Sequence, residues 1–301
     1  MNPGPALCLK IDIDTYVGTR EGVPNLLRLL DRAGARATFF VSLGPDNSGK
    51  AIARVFRRRG FLSKMLRTNA PGMYGVKTLM YGTLLPAPLI GARCAAELRT
   101  IPKAGHEIGL HAWDHVGWHD GLDGMAPEAV RAEYDRGWDA FCGIFGTAPT
   151  CVAAPGWTVT PASLALHDAK GLAYASDGRG TGVFRPVMGG KAFRTPQVPT
   201  TLPTLDEALG RDGVTREAFV PHVLGLLRPE ALNVFGAHGE AEGRGYQAEF
   251  SELLAGAKAA GYAFRTLGEM AAGSGDAPSC VLKREEIPGR SGLVGLQGEV
   301  A

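Results

Sequence analysis

The stretch LCLKIDID, Leu7 to Asp14, alternates apolar and polar side chains and ends on two carboxylates. That pattern predicts a β-strand whose C-terminal end carries function. EGVPNLLRLLDRAG (21–34) follows, with apolar residues at helical spacing, a Pro near its start and Gly34 at its end, the marks of a bounded helix. RATFFVSLG (36–44) reads as a second strand. A strand, a helix and a strand in this order require a parallel crossover, so the opening predicts an α/β sheet or barrel with helices outside.

The same rhythm recurs further along. A helix is expected around 92–104, a strand at HEIGLH (106–111), a helix at 126–146 and a strand near 150–153. PASLALHDAKG (161–171) reads as a helix, LAYASD (172–177) as a strand, and TPQVPTTLPTLDEALG as a proline-rich connection. REAFVPHVLGLL is a helix, LNVFGAHGE a strand with polar punctuation, FSELLAGAKAAG a last long helix, and YAFRTLGEMA closes the unit. Residues 1–271 are therefore expected to form one unit. The Gly-, Pro- and Ser-rich remainder, 272–301, has no periodicity and is expected to be a loose tail.

The chain has 301 residues, of which 45% are hydrophobic and 21% charged, enough apolar material for a large core. Its five cysteines are scattered with no C-x-x-C pair, which points to reduced thiols and a cytoplasmic setting. Met1 to Ala6 show no signal-peptide pattern, and no apolar run reaches the about 18 residues that span a bilayer. The net charge of +2 hides an asymmetry. From Lys50 to Arg93 there are nine basic residues and no acidic one, while the rest of the chain holds 23 basic and 30 acidic residues.

Three constellations fall at the C-terminal ends of expected strands, where α/β barrels place their sites. Asp12 and Asp14 are spaced to share one face of a strand, and buried acids at such a place need a partner or a metal. His111 and His115 stand four apart in HAWDH, which brings both imidazoles together if the chain turns helically after the strand. His238 follows an apolar strand in FGAHGE. Singly, each has a bland explanation: a capping acid, a helix-surface pair, a strand-end polar residue. Together, two His and a carboxylate make an open coordination set for one divalent ion. His119, His167 and His222 are expected to be solvated, and His106 to make a structural hydrogen bond.

The order IDID, GHEIGLHAWDH, APGW and a late strand ending in His resembles the polysaccharide deacetylase (NodB-homology) family. The likeness implies a distorted (β/α) barrel and a metal-dependent amide hydrolase. It implies Asp12 as general base, Asp14, His111 and His115 as metal ligands, and His238 as catalytic acid. KIDIDTYVGTREGVPNLL, FFVSLGPDNSG, FLSKMLR, SDGRG and TPQVPTTLPTLDE are similar to a branch of that family that deformylates a formamido-arabinose carried on undecaprenyl phosphate, a step of lipid A modification in polymyxin resistance. Two departures from the broad family stand out. Ile13 separates the two aspartates, and Ala153 and Ala154 stand where an Arg ahead of the Pro normally orients the base. Arg179 or a backbone amide is left to orient Asp12.

On this reading one divalent ion (zinc, manganese, iron or cobalt) is the cofactor. Trp157 stacks on the sugar or joins the core, and Asp177 and Arg179 are candidate substrate contacts. The cationic insert 50–93 is expected to lie on an anionic membrane through Arg54, Phe56, Arg57, Arg58, Arg59, Phe61, Lys64, Met65 and Arg67, unless it is a solvated charge run over a core helix. The protein would then sit peripherally on the cytoplasmic face of the bacterial inner membrane. Nucleic acid is not an expected partner, because no binding fold is recognisable. The competing readings are a deacetylase of a polysaccharide or small amide, and a non-catalytic lipid-binding protein of the same fold.

Overall fold

The structure, a computed structural model, describes residues 4–55, 75, 77–290 and 292–301. Of the expected membrane-binding residues, Arg54 belongs to the helix Ser48–Val55. Phe56, Arg57, Arg58, Arg59, Phe61, Lys64, Met65 and Arg67 lie outside the described residues.

The expected strand at LCLKIDID is β1, Ala6–Ile13, buried along its whole length. Around it a parallel sheet assembles from β2 (Thr38–Ser42), β3 (Glu107–Ala112), β4 (Cys151–Val152) and β5 (Tyr174–Ala175) on one side. Before β8 come two short strands of a second sheet, β6 (Arg185–Met188) and β7 (Lys191–Ala192). The other edge of β1 is shared. Its first half pairs with β9 (Ala263–Arg265), and Cys8 to Asp12 pair with β8 (Val234–His238).

Period-two alternation divides β1 between two environments. Leu7, Leu9, Ile11 and Ile13 face the large core under the helices, with Leu26, Leu30, Phe250 and Leu253. Cys8 faces the other way, into a smaller cluster with Phe40, Cys151, Ala153, Tyr174, Val198 and Val234. This second cluster is the barrel interior. Lys10 and Asp12 continue the same face toward the C-terminal end.

The expected helices form, and their ends are capped. Val23–Ala33 ends on Gly34 at φ +65, a left-handed cap that Gly adopts at no steric cost. Pro161–Lys170 starts from a Thr160–Ser163 capping box. The helix expected around 92–104 is broken at Cys94 into Ile90–Arg93 and Ala95–Lys103.

Closure of the barrel falls to the proline-rich connection. Val198 N donates to Ala175 O, and Thr201 and Leu202 N donate to Val234 O, so residues 196–202 bridge from β5 to β8. Pro196, Pro199 and Pro203 lack N–H groups, which limits this seam to isolated bonds instead of a full ladder. The distortion of the barrel has this local cause.

The expectation of a loose tail is corrected. Residues 279–300 form a hairpin of β10 (Ser279–Glu286) and β11 (Leu293–Val300). β10 pairs in parallel with β6, which pairs with β7, giving a second, four-stranded sheet. Alternation is weak because, among the described residues of the hairpin, only Cys280, Leu282, Val294 and Gly295 are buried. Cys280 and Leu282 complete a core with Val159, Leu164, Phe184 and Phe193. Arg284 pairs with Asp123, and Arg290 with Glu207 and Asp206. Leu282→Ala should destabilise the protein by about 2–4 kcal/mol in denaturant titration; no measurable loss would mean the hairpin is not docked in solution.

Candidate metal centre

The functional side chains converge because adjacent strands bring their ends to one level. In the β1–β8 register Asp12 stands opposite His238, and in the β1–β2 register opposite Phe40. β3 brings His111 to the same rim, and its Nδ1 is fixed by the Ala153 carbonyl at 2.7 Å. That contact assigns the Nδ1 proton and leaves Nε2 as the free donor atom. His115 opens the helix His115–Gly121, whose cap is Asp114 accepting from Gly117 N. A strand end and a helix start therefore aim two imidazoles at one point, as the HAWDH spacing predicted.

Asp14 lies just beyond β1, with Oδ1 3.3 Å from His111 Nε2 and Oδ2 3.5 Å from His115 Nε2. One ligand atom from each of the three lies within 4.8 Å of the others. Asp14 Oδ1 is buried with no hydrogen-bond partner among the described residues. An orphaned carboxylate oxygen beside two imidazole nitrogens fits a divalent ion, since such an atom is costly to bury otherwise. Burial pushes the Asp14 carboxyl up, but His115 and His111 outweigh it and hold it well below the usual carboxylate range. Burial also lowers His115, more than Asp14 raises it, which favours the neutral, metal-binding form.

Asp12 is buried, and a residue overlooked in the sequence holds it. Lys10, 1% exposed, places its Nζ against Asp12 Oδ2. Asp12 Oδ1 has no partner among the described residues. Burial alone would raise the Asp12 carboxyl; Lys10, then His111 and His238, bring it below its ordinary value. Asp12 is ionised at neutral pH. The expectation that Arg179 or a backbone amide holds it is corrected, for Arg179 pairs with Glu207 at 2.9 Å. A Lys two residues before Asp12 in an otherwise apolar strand was a legible signal.

Two further acids went unread, Glu240 and Glu242, both buried just after β8. Glu240 accepts from Asp14 N and from Thr15 N and Oγ1, tying the β1 end to the β8 end. Burial, aided by Asp14, pushes it up to about 8. Glu242 accepts the His238 backbone N–H at 2.8 Å. Burial pushes it up to about 7, against the pull of His238.

Trp157 does not present an open face. It is 4% exposed at φ +54, its Nε1 donates to Thr200 Oγ1, and Arg290, Arg179 and Lys10 lie 4.4, 5.0 and 5.9 Å from its ring. Asp177 is 1% exposed and held by Gln197 Nε2 and His167, which corrects its reading as a substrate contact. His167 is buried beside it, not solvated as expected. His106 is buried and accepts from Ala37 N through Nδ1, the structural bond expected of it. Arg179 lines a cavity of about 490 Å³ with Thr200, Arg211 and His222.

The family model for polysaccharide deacetylases matches residues 3–175. The chain belongs to the polysaccharide deacetylase family. Within it, the chain is 39% identical over 293 residues to a Shewanella sediminis protein described as a probable 4-deoxy-4-formamido-L-arabinose-phosphoundecaprenol deformylase, covering 97% of this chain and 94% of that one. A Wigglesworthia glossinidia brevipalpis protein of the same description is 33% identical, with 94% and 99% covered. The fold is shared with a Mycobacterium smegmatis protein assigned as a polysaccharide deacetylase, at TM-score 0.63 and 17% identity, covering 95% of this chain and 97% of that one. As a member of this family the chain is a hydrolase acting on amide bonds.

Asp14→Ala should lower divalent-metal affinity by more than the about 10–100-fold that loss of an outer partner costs, read by metal analysis after dialysis; full metal content would refute the ligand assignment. A second expectation concerns Glu242. Its folded pKa of about 7 exceeds the ordinary 4.5, so its contribution is complete below about pH 4.5 and is lost as pH rises through about 7. Glu242→Gln keeps an acceptor for His238 N and does not titrate. In chelator-treated protein its stability should therefore gain on the wild type between about pH 5 and 8, by up to about 3 kcal/mol. A pH-independent difference in the denaturation curves would contradict the assignment.

Proposed function

We propose that this chain hydrolyses the formamide of a 4-deoxy-4-formamido-L-arabinose carried on undecaprenyl phosphate, giving formate and the free amino-sugar lipid. The observation that carries the chemistry is the register that sets Asp12 opposite His238, beside the Asp14, His111 and His115 group. The choice of substrate is supported by two relatives with that activity in their names, matched over nearly their whole length.

Asp14, His111 and His115 hold the divalent ion, which supplies a Lewis acid for the formyl oxygen. Two His and one carboxylate suit zinc, manganese, iron or cobalt alike. Asp12 is the base. Its Oδ1 takes a proton from the water that attacks the formyl carbon, while Oδ2 stays on Lys10. His238, facing Asp12 across the strand pair, donates a proton to the sugar nitrogen as the C–N bond breaks. The two proton transfers thus fall to two residues at opposite sides of one register.

Access to a lipid-linked substrate rests on the segment that includes the acid-free stretch Lys50–Arg93. In its described part Leu84 and Leu89 are exposed, Leu84 at 79%, and exposed apolar side chains in a basic, acid-free segment suit an anionic bilayer surface. Among the described residues no helix is long and apolar enough to cross a membrane. We place the protein peripherally on the cytoplasmic face of the bacterial inner membrane, within lipid A modification and polymyxin resistance.

A second reading, removal of acetyl groups from a polysaccharide, is favoured by the family match over residues 3–175. Mass spectrometry of both substrates with purified, metal-loaded protein separates the two. Loss of the formyl mass from the lipid, with N-acetylated oligosaccharide left intact, is the expected outcome; the reverse result would establish the second reading. His238→Ala should cut turnover by about 10²-fold or more at unchanged metal content, and parallel loss of metal would make His238 a ligand instead.

A further inference from the structure

We propose that Lys10 is the positioning residue for the catalytic base, performing from within β1 the task for which Ala153 and Ala154 leave no side chain. This rests on the assignment of Asp12 as base given above. Lys10 and Asp12 are two apart on one strand, so their side chains share a face without any long-range contact. The Lys10 ammonium is buried, and Asp12 is its one ion-pair partner among the described residues. Its remaining surroundings are the faces of Phe40 and Trp157, 5.5 and 5.9 Å from Nζ.

A cation on one carboxylate oxygen leaves the other with a defined direction. Asp12 Oδ2 is taken by Lys10, and Oδ1 is buried and unpartnered among the described residues. Only Oδ1 is available to accept a proton. Without Lys10 the carboxylate could turn about its side-chain torsions toward His111 or Asp14's ligand shell, and a misplacement of about 1 Å is worth about 10²-fold in rate.

Trp157 is the seal that makes the pair effective. Gly156 at φ +57 and Trp157 at φ +54 turn the Pro155-Gly156-Trp157 segment left-handed. For Trp this is a sparsely populated region, held only where the surroundings over-determine it. Here Thr200 Oγ1 takes the indole N–H, and Arg179 and Arg290 lie over the ring. Those two guanidinium groups, which share the ring with Lys10, are each paired with Glu207. Among the described residues Asp12 is the carboxylate that Lys10 pairs with.

The test compares wild type, Lys10→Met and Lys10→Arg as full-length, metal-loaded protein. Lys10→Met should lower kcat for the formamido-sugar lipid by about 10²-fold with KM and metal content unchanged, and Lys10→Arg should recover all but about 10-fold. Crystal structures read the carboxylate independently of substrate. Asp12 should keep one orientation in wild type and Lys10→Arg and turn away in Lys10→Met. If the Met variant fails to fold, Lys10→Gln serves for the same comparison. An unmoved Asp12, a kcat within about 3-fold of wild type, or loss of metal in step with activity and no recovery by Arg would each overturn the proposal. Wild-type protein that leaves the formamido-sugar lipid intact would overturn the substrate reading instead, with the position of Asp12 still decided by the crystals.

Discussion

An ionised carboxylate in the interior of an apolar barrel is tolerated only with a counter-charge at hand, and the Lys10–Asp12 pair is where that condition is met in this protein. The pair lies near the end of the central strand, between Cys8 and the rim, on the face turned away from the helices. Removing either partner would leave the other charge buried alone, a loss of several kcal/mol in comparable cases. The site's other members are arranged around this fixed point. β8 brings His238 opposite Asp12, β2 brings Phe40 beneath Lys10, and the Pro155-Gly156-Trp157 turn closes over it.

Charge is conserved locally rather than across the molecule. Asp14 has its two imidazoles, Glu240 its Thr15 donors, and Glu242 the His238 backbone N–H. Glu240 and Glu242 carry carboxyls raised toward neutrality by burial, so the rim does not accumulate four full negative charges. Arg179 and Arg290 share Glu207 and lie over the Trp157 ring. Through Arg290 the C-terminal hairpin reaches the Trp157 ring and Glu207, a role at odds with a dangling tail.

Much of the scaffold was legible because it obeys local periodicity. The strand at LCLKIDID, the helix ending at Gly34 and the helix at 127–145 follow from residue spacing and caps that tertiary packing did not override. The metal group was legible for a related reason. HAWDH places two imidazoles by strand-then-helix geometry, and Asp14 follows one strand step from Asp12. The hairpin at 279–300 escaped notice because too few of its side chains are buried to leave an alternating pattern, and its partner strand is nearly a hundred residues away. Asp177 and His167 are polar yet buried side by side, His167 Nδ1 3.3 Å from Asp177 Oδ2, so polarity in these segments does not signal exposure.

By itself the sequence determined the α/β class and the grouping of Asp14, His111 and His115 as a candidate metal site, because each depends on contacts within a few residues. Tertiary structure alone decided which charge meets Asp12, which acids are buried and pushed up, and how the barrel closes. Those outcomes depend on burial and on neighbours distant in the chain: Trp157 over Lys10, Glu240 against Thr15, and residues 196–202 between β5 and β8. Lys10 stands on the border between the two. Its spacing from Asp12 was written in the sequence, but only the surrounding aromatic faces show that its charge has one carboxylate to serve.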